Sequence, residues 1–252
     1  VLSRGLGDVY KRQDGNISLD EPRERTLRVT HIVGEKYGAL FGTYFNRDDQ
    51  GRIIHEMSQG YPRPSLNTSR KILGFGVPPQ QLGIGASFRY KDWNASFLVE
   101  GKSGAQVFSG TNVRLIGYGL HQMTVPAGGR ESGFVPDGVL EDGTPITQSL
   151  DYTQQQNYWG RYNDVAEAGI YDSDYFRMRQ MSVGYTFPKT MLEGTFIQSA
   201  SVSLIGKNLF FIHNSVPNVD PESAYNNSNS QGLEFAGMPV PTTVGINVNL
   251  KF

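Results

Sequence analysis

The stretch Thr242-Thr243-Val244-Gly245-Ile246-Asn247-Val248-Asn249-Leu250-Lys251-Phe252 closes the chain, and from Val244 onward apolar and polar residues alternate without a break. Successive side chains of a β-strand point to opposite faces, so the apolar residues share one face and the polar residues share the other. At about 3.3 Å per residue and a tilt of about 45°, the stretch rises about 26 Å, close to the roughly 25 Å apolar band of an outer-membrane barrel. It therefore predicts either a closing barrel strand with Phe252 at the periplasmic rim or the edge strand of a soluble β-sandwich.

The composition of the chain excludes several classes of function. The net charge of −1, from 23 basic and 24 acidic residues, offers no basic patch for nucleic acid. The absence of cysteine excludes a disulfide scaffold and a thiolate metal site. No apolar run is long enough for a membrane-spanning helix, whereas 30 glycines, 13 tyrosines and 14 phenylalanines favour strands.

The beginning of the chain differs from the rest. It has neither an initiator Met nor a signal peptide, and residues 1–13 resemble the translation of a sequencing adapter. We therefore expect residues 1–13 to be foreign, and residues 14–252 to be a fragment from which an N-terminal part is missing.

Several earlier segments repeat the alternation of the last one. The runs 82–90 and 93–100 alternate on either side of Lys91-Asp92, with a slip at Leu98, and predict a hairpin with a tight turn. Further strands are predicted at 25–33, 37–46, 181–187 and 200–204, and one helical turn at 189–194.

The lengths of the connections follow a pattern. Long connections are predicted at about 46–80, 103–173 and 213–240, and short ones at 91–92 and 188–197. When the strands are traced alternately up and down, all the short turns lie at one end, as they do in outer-membrane barrels, whose long loops are extracellular. The aromatic residues Phe88, Tyr90, Trp93, Tyr185, Phe187 and Phe252 lie beside the short turns, where an interfacial girdle belongs. The sequence therefore predicts an all-β fold of antiparallel strands that form the C-terminal part of a large transmembrane β-barrel.

Five motifs, in order along the chain, resemble those of SusC/RagA-like TonB-dependent transporters. They are FRYKDWNASF at 88–97, DYFRMRQMSVGYTFP at 174–188, GKNLF at 206–210, DPE at 220–222 and the alternating end of the chain. Weaker likenesses at 38–42 and 48–62 extend the resemblance to nearly everything from about residue 20 to residue 252.

The resemblance implies a Gram-negative outer-membrane protein whose barrel of roughly 22 strands surrounds an N-terminal plug. Such transporters import oligosaccharides, peptides or other large nutrients beneath a SusD-like lipoprotein lid, and they draw energy from the TonB complex. The residues present contain neither plug nor TonB box, so we expect the TonB contact to lie in the missing N-terminal region. Outer-membrane lipid and the barrel-assembly machinery are further expected partners, and the machinery would read Ile246, Val248, Leu250 and Phe252.

No catalytic, cofactor or metal site is predicted. His31, His55, His121 and His213 lack the spacing of a zinc site, and no nucleophile motif occurs. Asp172 and Asp174 are better explained as polar loop residues than as calcium ligands.

The long connection 103–173 holds the candidate ligand-binding residues. Trp159, Tyr158, Tyr162 and Tyr171 alternate with Gln and Asn, and rings with neighbouring amides can hold a sugar or a peptide. The alternative, which we favour, is that these rings pack the loop on itself or against the lid lipoprotein. Rival functions for the whole chain are a passive porin-like or adhesin barrel and a secreted carbohydrate-binding sandwich.

Overall fold

The computed structural model describes residues 16–19, 26–223 and 231–252, so the expectation for residues 1–13 lies outside the described residues. Antiparallel strands dominate, which confirms the predicted fold class. The strands are β1 (Asn16–Ser18), β2 (Leu27–Ile32), β3 (Ala39–Phe45), β4 (Ile54–Ser58), β5 (Tyr61–Pro64), β6 (Leu66–Phe75), β7 (Gln80–Tyr90), β8 (Trp93–Ser103), β9 (Gln106–Ser109), β10 (Val139–Leu140), β11 (Ile170–Asp172), β12 (Tyr175–Thr186), β13 (Ser199–Asn214), β14 (Leu233–Glu234) and β15 (Thr243–Lys251). The helices are α1 (Gly110–Gly117), α2 (Tyr152–Gly160) and α3 (Lys189–Leu192), with 3-10 turns at Gln122–Thr124, Arg130–Ser132, Arg161–Asp164 and Glu167–Gly169.

The four longest antiparallel pairings build one five-stranded sheet in the order β15-β13-β12-β8-β7, which we call the wall sheet. Its short connections match the prediction. Tyr90 pairs with Trp93 across the two-residue turn, where Lys91 takes a φ of 52°, the left-handed conformation that such tight hairpins require. Pro188 caps helix α3, the predicted helical turn between β12 and β13.

Strand β12 contains a β-bulge opposite Leu98. Met178 pairs with Val99 and Gln180 pairs with Leu98, so Arg179 is an extra residue on β12. Such a bulge bends the strand and re-aims a side chain. The alternation of β8 itself keeps its phase, because its register with β7 runs without a shift, so Leu98 lies on the same face as Ser96 and Glu100.

The long connections lie at the opposite end of the wall sheet and are folded. Together with β1, β2 and β3 they form three small sheets with the orders β1-β2-β3-β6, β10-β4-β5 and β11-β9-β14. Strand β9 follows directly after β8, and the backbone N–H of Gly104 donates to the Asp174 carboxylate at 2.8 Å, which ties the ends of β8 and β12 together. We call this folded end the loop layer.

Two apolar clusters hold the loop layer together. One packs Leu27, Val29 and Leu40 against Phe108, Val113 and Ala166, so that the sheet of β2 and β3 covers β9 and α1. The other is largely aromatic, and its members are Phe45, Tyr61, Ile116, Leu150, Tyr158, Trp159, Tyr162 and Val165.

The strands in the first third of the chain lie in a different part of the fold from the one that the sequence predicted. Strands were predicted at 25–33 and 37–46 and occur as β2 and β3, but they are mostly buried in the loop layer rather than placed in the wall sheet. The connection 46–80 contains β4, β5 and β6 where an irregular loop was expected. These strands belong to the small sheets of the loop layer rather than to a sheet with one apolar and one polar face, so they lack the regular alternation that such a sheet imposes.

Candidate functional site

One face of the wall sheet is apolar across its full width. A row of directly paired residues crosses all five strands, namely Phe88, Ala95, Val183, Leu204 and Ile246. Phe88, Val183, Leu204 and Ile246 are each between 45% and 73% exposed. Monomers in water rarely expose a contiguous apolar surface of this kind, because apolar area in contact with water is unfavourable. The face therefore requires an apolar surrounding.

The other face of the wall sheet is polar. The row beside the one just described consists of Arg89, Asn94, Gly184, Ser203 and Asn247. On the same face, the hydroxyl oxygens of Ser96 and Ser182 lie 2.7 Å apart and share a hydrogen bond. A sheet whose apolar face is not covered by any described residue differs from a sandwich, in which apolar faces pack together.

Aromatic residues gather at the short-turn end of the apolar face, as the sequence predicted. The rings of Trp93 and Tyr185 are 5.0 Å apart, and Phe196 stacks on Phe252 at 5.5 Å. The proposed assembly residues Ile246, Val248, Leu250 and Phe252 all belong to this face and are exposed. Their recognition by assembly machinery stays a prediction.

At the other end of the polar face, two arginines of β12 hold the DPE loop against the sheet. Arg177 donates to Asp220 at 2.5 Å and also to Glu222. Arg179, aimed by the bulge, donates to Glu222 at 2.6 Å and to Glu100 of β8 at 2.7 Å. We call Arg177, Arg179, Asp220 and Glu222 the arginine network.

The arginine network has further hydrogen-bond partners, although the Nε atom of Arg177 is buried without one. The Tyr175 hydroxyl donates to Glu222 at 2.7 Å, and the backbone N–H of Val240 donates to Asp220 at 3.1 Å. The Arg177 guanidinium also lies 3.9 Å from the centre of the Phe211 ring. Burial acts to raise the pKa of Glu222, but hydrogen bonds from Arg179 and Tyr175 outweigh it and hold that pKa below its ordinary value. The loop is therefore fixed by ionised groups.

Sequence reasoning noticed the two motifs of this network but missed that they meet. Asp220 and Glu222 were read only as a family motif, and Arg177 and Arg179 only as part of a strand. The available signal was two like charges at alternate positions of a strand, followed about 43 residues later by two carboxylates at the same spacing.

The predicted ligand residues occupy the loop layer. Tyr158, Trp159 and Tyr162 come together, with ring centres 5.0 to 5.9 Å apart, and all three are buried. Tyr171 lies apart on β11 and is half-buried. These positions support the alternative in which the rings pack the loop on itself. Contact with a ligand stays a prediction.

A buried histidine adjoins the aromatic cluster. His55 is fully buried, stacks on Tyr158 with an angle of 9° between the rings, and lies 3.2 Å from the Tyr158 hydroxyl through Nε2. Burial lowers the pKa of His55, although contacts with backbone groups of Ile53 and Val139 act in the opposite direction. Burial also disfavours the charged form of Tyr158 and so raises the pKa of its hydroxyl. The pair is therefore neutral near pH 7.

A buried carboxylate joins two loops within the loop layer. Glu234 accepts hydrogen bonds from the hydroxyls of Ser109 at 2.6 Å and Thr111 at 2.7 Å, at the N-terminus of α1. The positive end of a helix favours a carboxylate at this point. Together with the arginine network, this contact fixes the connection after β13 to both the wall sheet and α1.

Other features weighed from the sequence have structural roles. Asp174 accepts the Gly104 N–H and Asp172 accepts the side-chain amide of Gln106, as expected of ordinary loop residues. In the described ranges no three His, Asp or Glu side chains cluster as metal ligands. None of the helices in those ranges is long and apolar enough to cross a membrane.

Comparison with known proteins agrees with this geometry. The chain is 25% identical to TonB-dependent receptor P3 of Formosa agariphila over 277 aligned positions. The alignment covers all of this chain and 26% of the receptor. The chain therefore spans about a quarter of that receptor's length. No protein-family model matches.

Solved structures share the fold. The RagAB peptide importer in its open-open state matches 94% of this chain and 24% of the importer chain, with a TM-score of 0.56 and 13% identity. Its closed-closed state gives a TM-score of 0.55 with 11% identity, over 94% of this chain and 28% of the importer chain. These neighbours are transport proteins, and the relative in sequence is a receptor, in agreement with the prediction that the chain is not an enzyme.

Proposed function

Because the chain corresponds in sequence and in fold to part of a SusC/RagA-like TonB-dependent transporter, we propose that it forms barrel wall and extracellular loops of an outer-membrane nutrient importer. The observation that carries the proposal is the two-faced wall sheet. Lipid would cover the apolar face, and the polar face would line the water-filled interior. The short turns would then be periplasmic and the loop layer extracellular.

The proposed mechanism is active import. Ligand would be captured at the loop layer, and a plug elsewhere in the transporter would move when the TonB complex pulls on it. The substrate class would be an oligosaccharide or a peptide, and a SusD-like surface lipoprotein would close the loop layer as a lid. The RagAB neighbours, described as peptide importers, support the transport role.

The rival barrels differ in how they use energy. A passive porin would pass solute without the TonB complex, and an adhesin would pass none. The secreted-sandwich reading fits poorly with an apolar face that no described residue covers.

The test uses the full-length gene in its own host. The gene is deleted and then restored, and growth on glycans or peptides as sole carbon source is compared with uptake of the labelled nutrient. We expect the protein in the outer-membrane fraction and uptake that stops when TonB is deleted. Uptake that continues without TonB would contradict active import, and a protein found in the detergent-free soluble fraction would contradict the barrel itself.

A further inference from the structure

A cavity of about 240 Å³ opens on the loop layer between the end of α1 and the first turns of α2. Its lining residues are Gly117, Tyr118, Gly119, Thr124, Arg130, Tyr152, Gln155, Gln156 and Trp159. Sites for drug-sized molecules begin at about 300 Å³, so this cavity suits a smaller group such as a single sugar ring.

Two exposed aromatic rings line this cavity. Tyr118 is 73% exposed and Tyr152 is 81% exposed, whereas Trp159 on the same cavity is buried and packed against Phe134 and Tyr158. An exposed ring beside a buried ring gives a site both a free stacking surface and a firm base. Exposed aromatic faces bind the apolar faces of sugar rings through contact area at low cost in conformational entropy.

The polar groups of the cavity include the cationic side chain of Arg130. The Arg130 guanidinium donates to the Gly119 carbonyl and, at 3.4 Å, to the Thr124 hydroxyl. Within the described residues it forms no ion pair with a carboxylate. Its remaining N–H groups can bind a ligand carboxylate in the bidentate manner that arginine favours. Gln156 is exposed and adds an amide that can meet sugar hydroxyls.

The geometry of the cavity is set by its supports. Asp151 and Gln154 form a reciprocal capping box at the start of α2, which fixes the turn that carries Tyr152. The Gln155 amide donates to the Leu150 carbonyl at 3.0 Å. Gly119 has a φ of 71°, and a side chain there would meet an Arg130 terminal nitrogen at 3.1 Å, so the glycine makes room for the guanidinium.

We infer that this cavity binds a carboxylated sugar residue, a hexuronic acid unit of a larger glycan. Tyr152 and Tyr118 would stack on the ring, Arg130 would pair with the carboxylate, and Gln156 would bond a hydroxyl. The inference deepens the proposed import function, on which it rests, by naming the substrate class. It assigns recognition to residues beside the buried aromatic cluster rather than to that cluster.

The test is calorimetric titration of the purified full-length transporter in detergent. The probes are a trimer of galacturonic acid, a neutral galactose trimer of the same length, and a tripeptide with a free C-terminal carboxylate. We expect the acidic trimer to bind at least about tenfold more tightly than the neutral one. Equal affinities, no binding of the acidic trimer, or tighter binding of the tripeptide would overturn the inference.

Matched variants locate the binding. Tyr152→Ala and Arg130→Gln should each weaken the acidic trimer by about tenfold, while Tyr152→Phe keeps the ring and should bind normally. Met123→Ala, an exposed neighbour that does not line the cavity, is the control. Unchanged affinity in Tyr152→Ala and Arg130→Gln would place the glycan elsewhere and overturn the inference. Because titration needs neither membrane nor TonB, binding without TonB-dependent uptake would contradict only the proposed function.

Discussion

The guanidinium of Arg177 lies 2.5 Å from the carboxylate of Asp220, and the two side chains are only 4% and 3% exposed. Loss of one partner from such a buried charge pair strongly destabilises the folded protein, because the other charge stays buried and uncompensated. Since Arg177 belongs to the wall sheet and Asp220 to the connection after β13, this pair fixes an extracellular loop to the barrel interior in the proposed arrangement.

Arg177→Ala should therefore release that loop. We expect the free energy of opening of the loop to fall by about 3–5 kcal/mol, measured by hydrogen exchange of amides in 215–223 and 231–242 of the full-length protein. Arg52→Ala is the control, because Arg52 forms a more exposed pair with Asp48 within one turn, worth at most about 1 kcal/mol. Equal effects of the two variants would show that the buried pair does not hold the loop.

The same loop should loosen in acid. The folded pKa of Glu222 lies below its ordinary value of 4.5, so the unfolded loop binds the proton more readily than the docked one. The stability from Glu222 is thus fully present above pH 4.5 and is lost as the pH falls through the lower folded pKa. Limited proteolysis of the loop from pH 7 down to pH 3 should show this change, and Glu222→Gln should reduce it. A profile identical in the variant would rule out Glu222 as its source.

A substitution to arginine should have opposite outcomes on the two faces of the wall sheet. Leu204→Arg places a charge on the apolar face, where the proposed lipid contact makes an arginine cost about 2–4 kcal/mol near the bilayer midplane. Ser203→Arg, one residue earlier on the polar face, should be tolerated. We expect less heat-modifiable barrel in the outer membrane for Leu204→Arg alone, as judged by gel shift. Equal loss in both variants would contradict the assignment of faces.

Sequence alone predicted the wall sheet well, and the reason is physical. Each strand there has one apolar and one polar face, so the alternation at Val244–Leu250 or Ile84–Phe88 runs residue by residue. The loop layer imposes no such pattern. Strands β2 and β3 are mostly buried, and helix α2 is held by a buried aromatic cluster whose members come from five separate parts of the chain.

The candidate site illustrates the same limit. Counting aromatics in 103–173 drew attention to the segment that forms α2, but it could not distinguish the buried Trp159 from the exposed Tyr152 seven residues earlier. That distinction depends on Phe45, Tyr61 and Phe134, which are distant in sequence. The pairing of Arg177 with Asp220 likewise depends on how a long loop folds back.

His55 should make the loop layer sensitive to mild acid. Burial keeps its folded pKa below the ordinary 6.5, with only the charge of Asp137 and nearby backbone groups opposing the shift. A neutral buried histidine contributes stability above pH 6.5 that is lost as the pH falls below that value. Hydrogen exchange of 104–174 between pH 7.5 and 5 should quicken in the natural protein and much less in His55→Phe, which keeps the ring against Tyr158. His213→Gln, at an exposed histidine, is the control and should leave the profile unchanged. A profile flattened by His213→Gln and not by His55→Phe would refute the assignment of the pH dependence to His55.

Trp159→Ala separates packing from ligand contact. Trp159 is 6% exposed and touches the rings of Phe134, Tyr158 and Tyr162, so its removal leaves a cavity that should destabilise the loop layer by about 3–5 kcal/mol. We expect faster proteolysis within 104–174 in Trp159→Ala and an unchanged rate in Tyr152→Ala, whose ring is exposed. If Trp159→Ala left proteolysis unchanged while abolishing uptake, Trp159 would be a ligand contact rather than part of the core, and the buried cluster would have to be reinterpreted as the binding site.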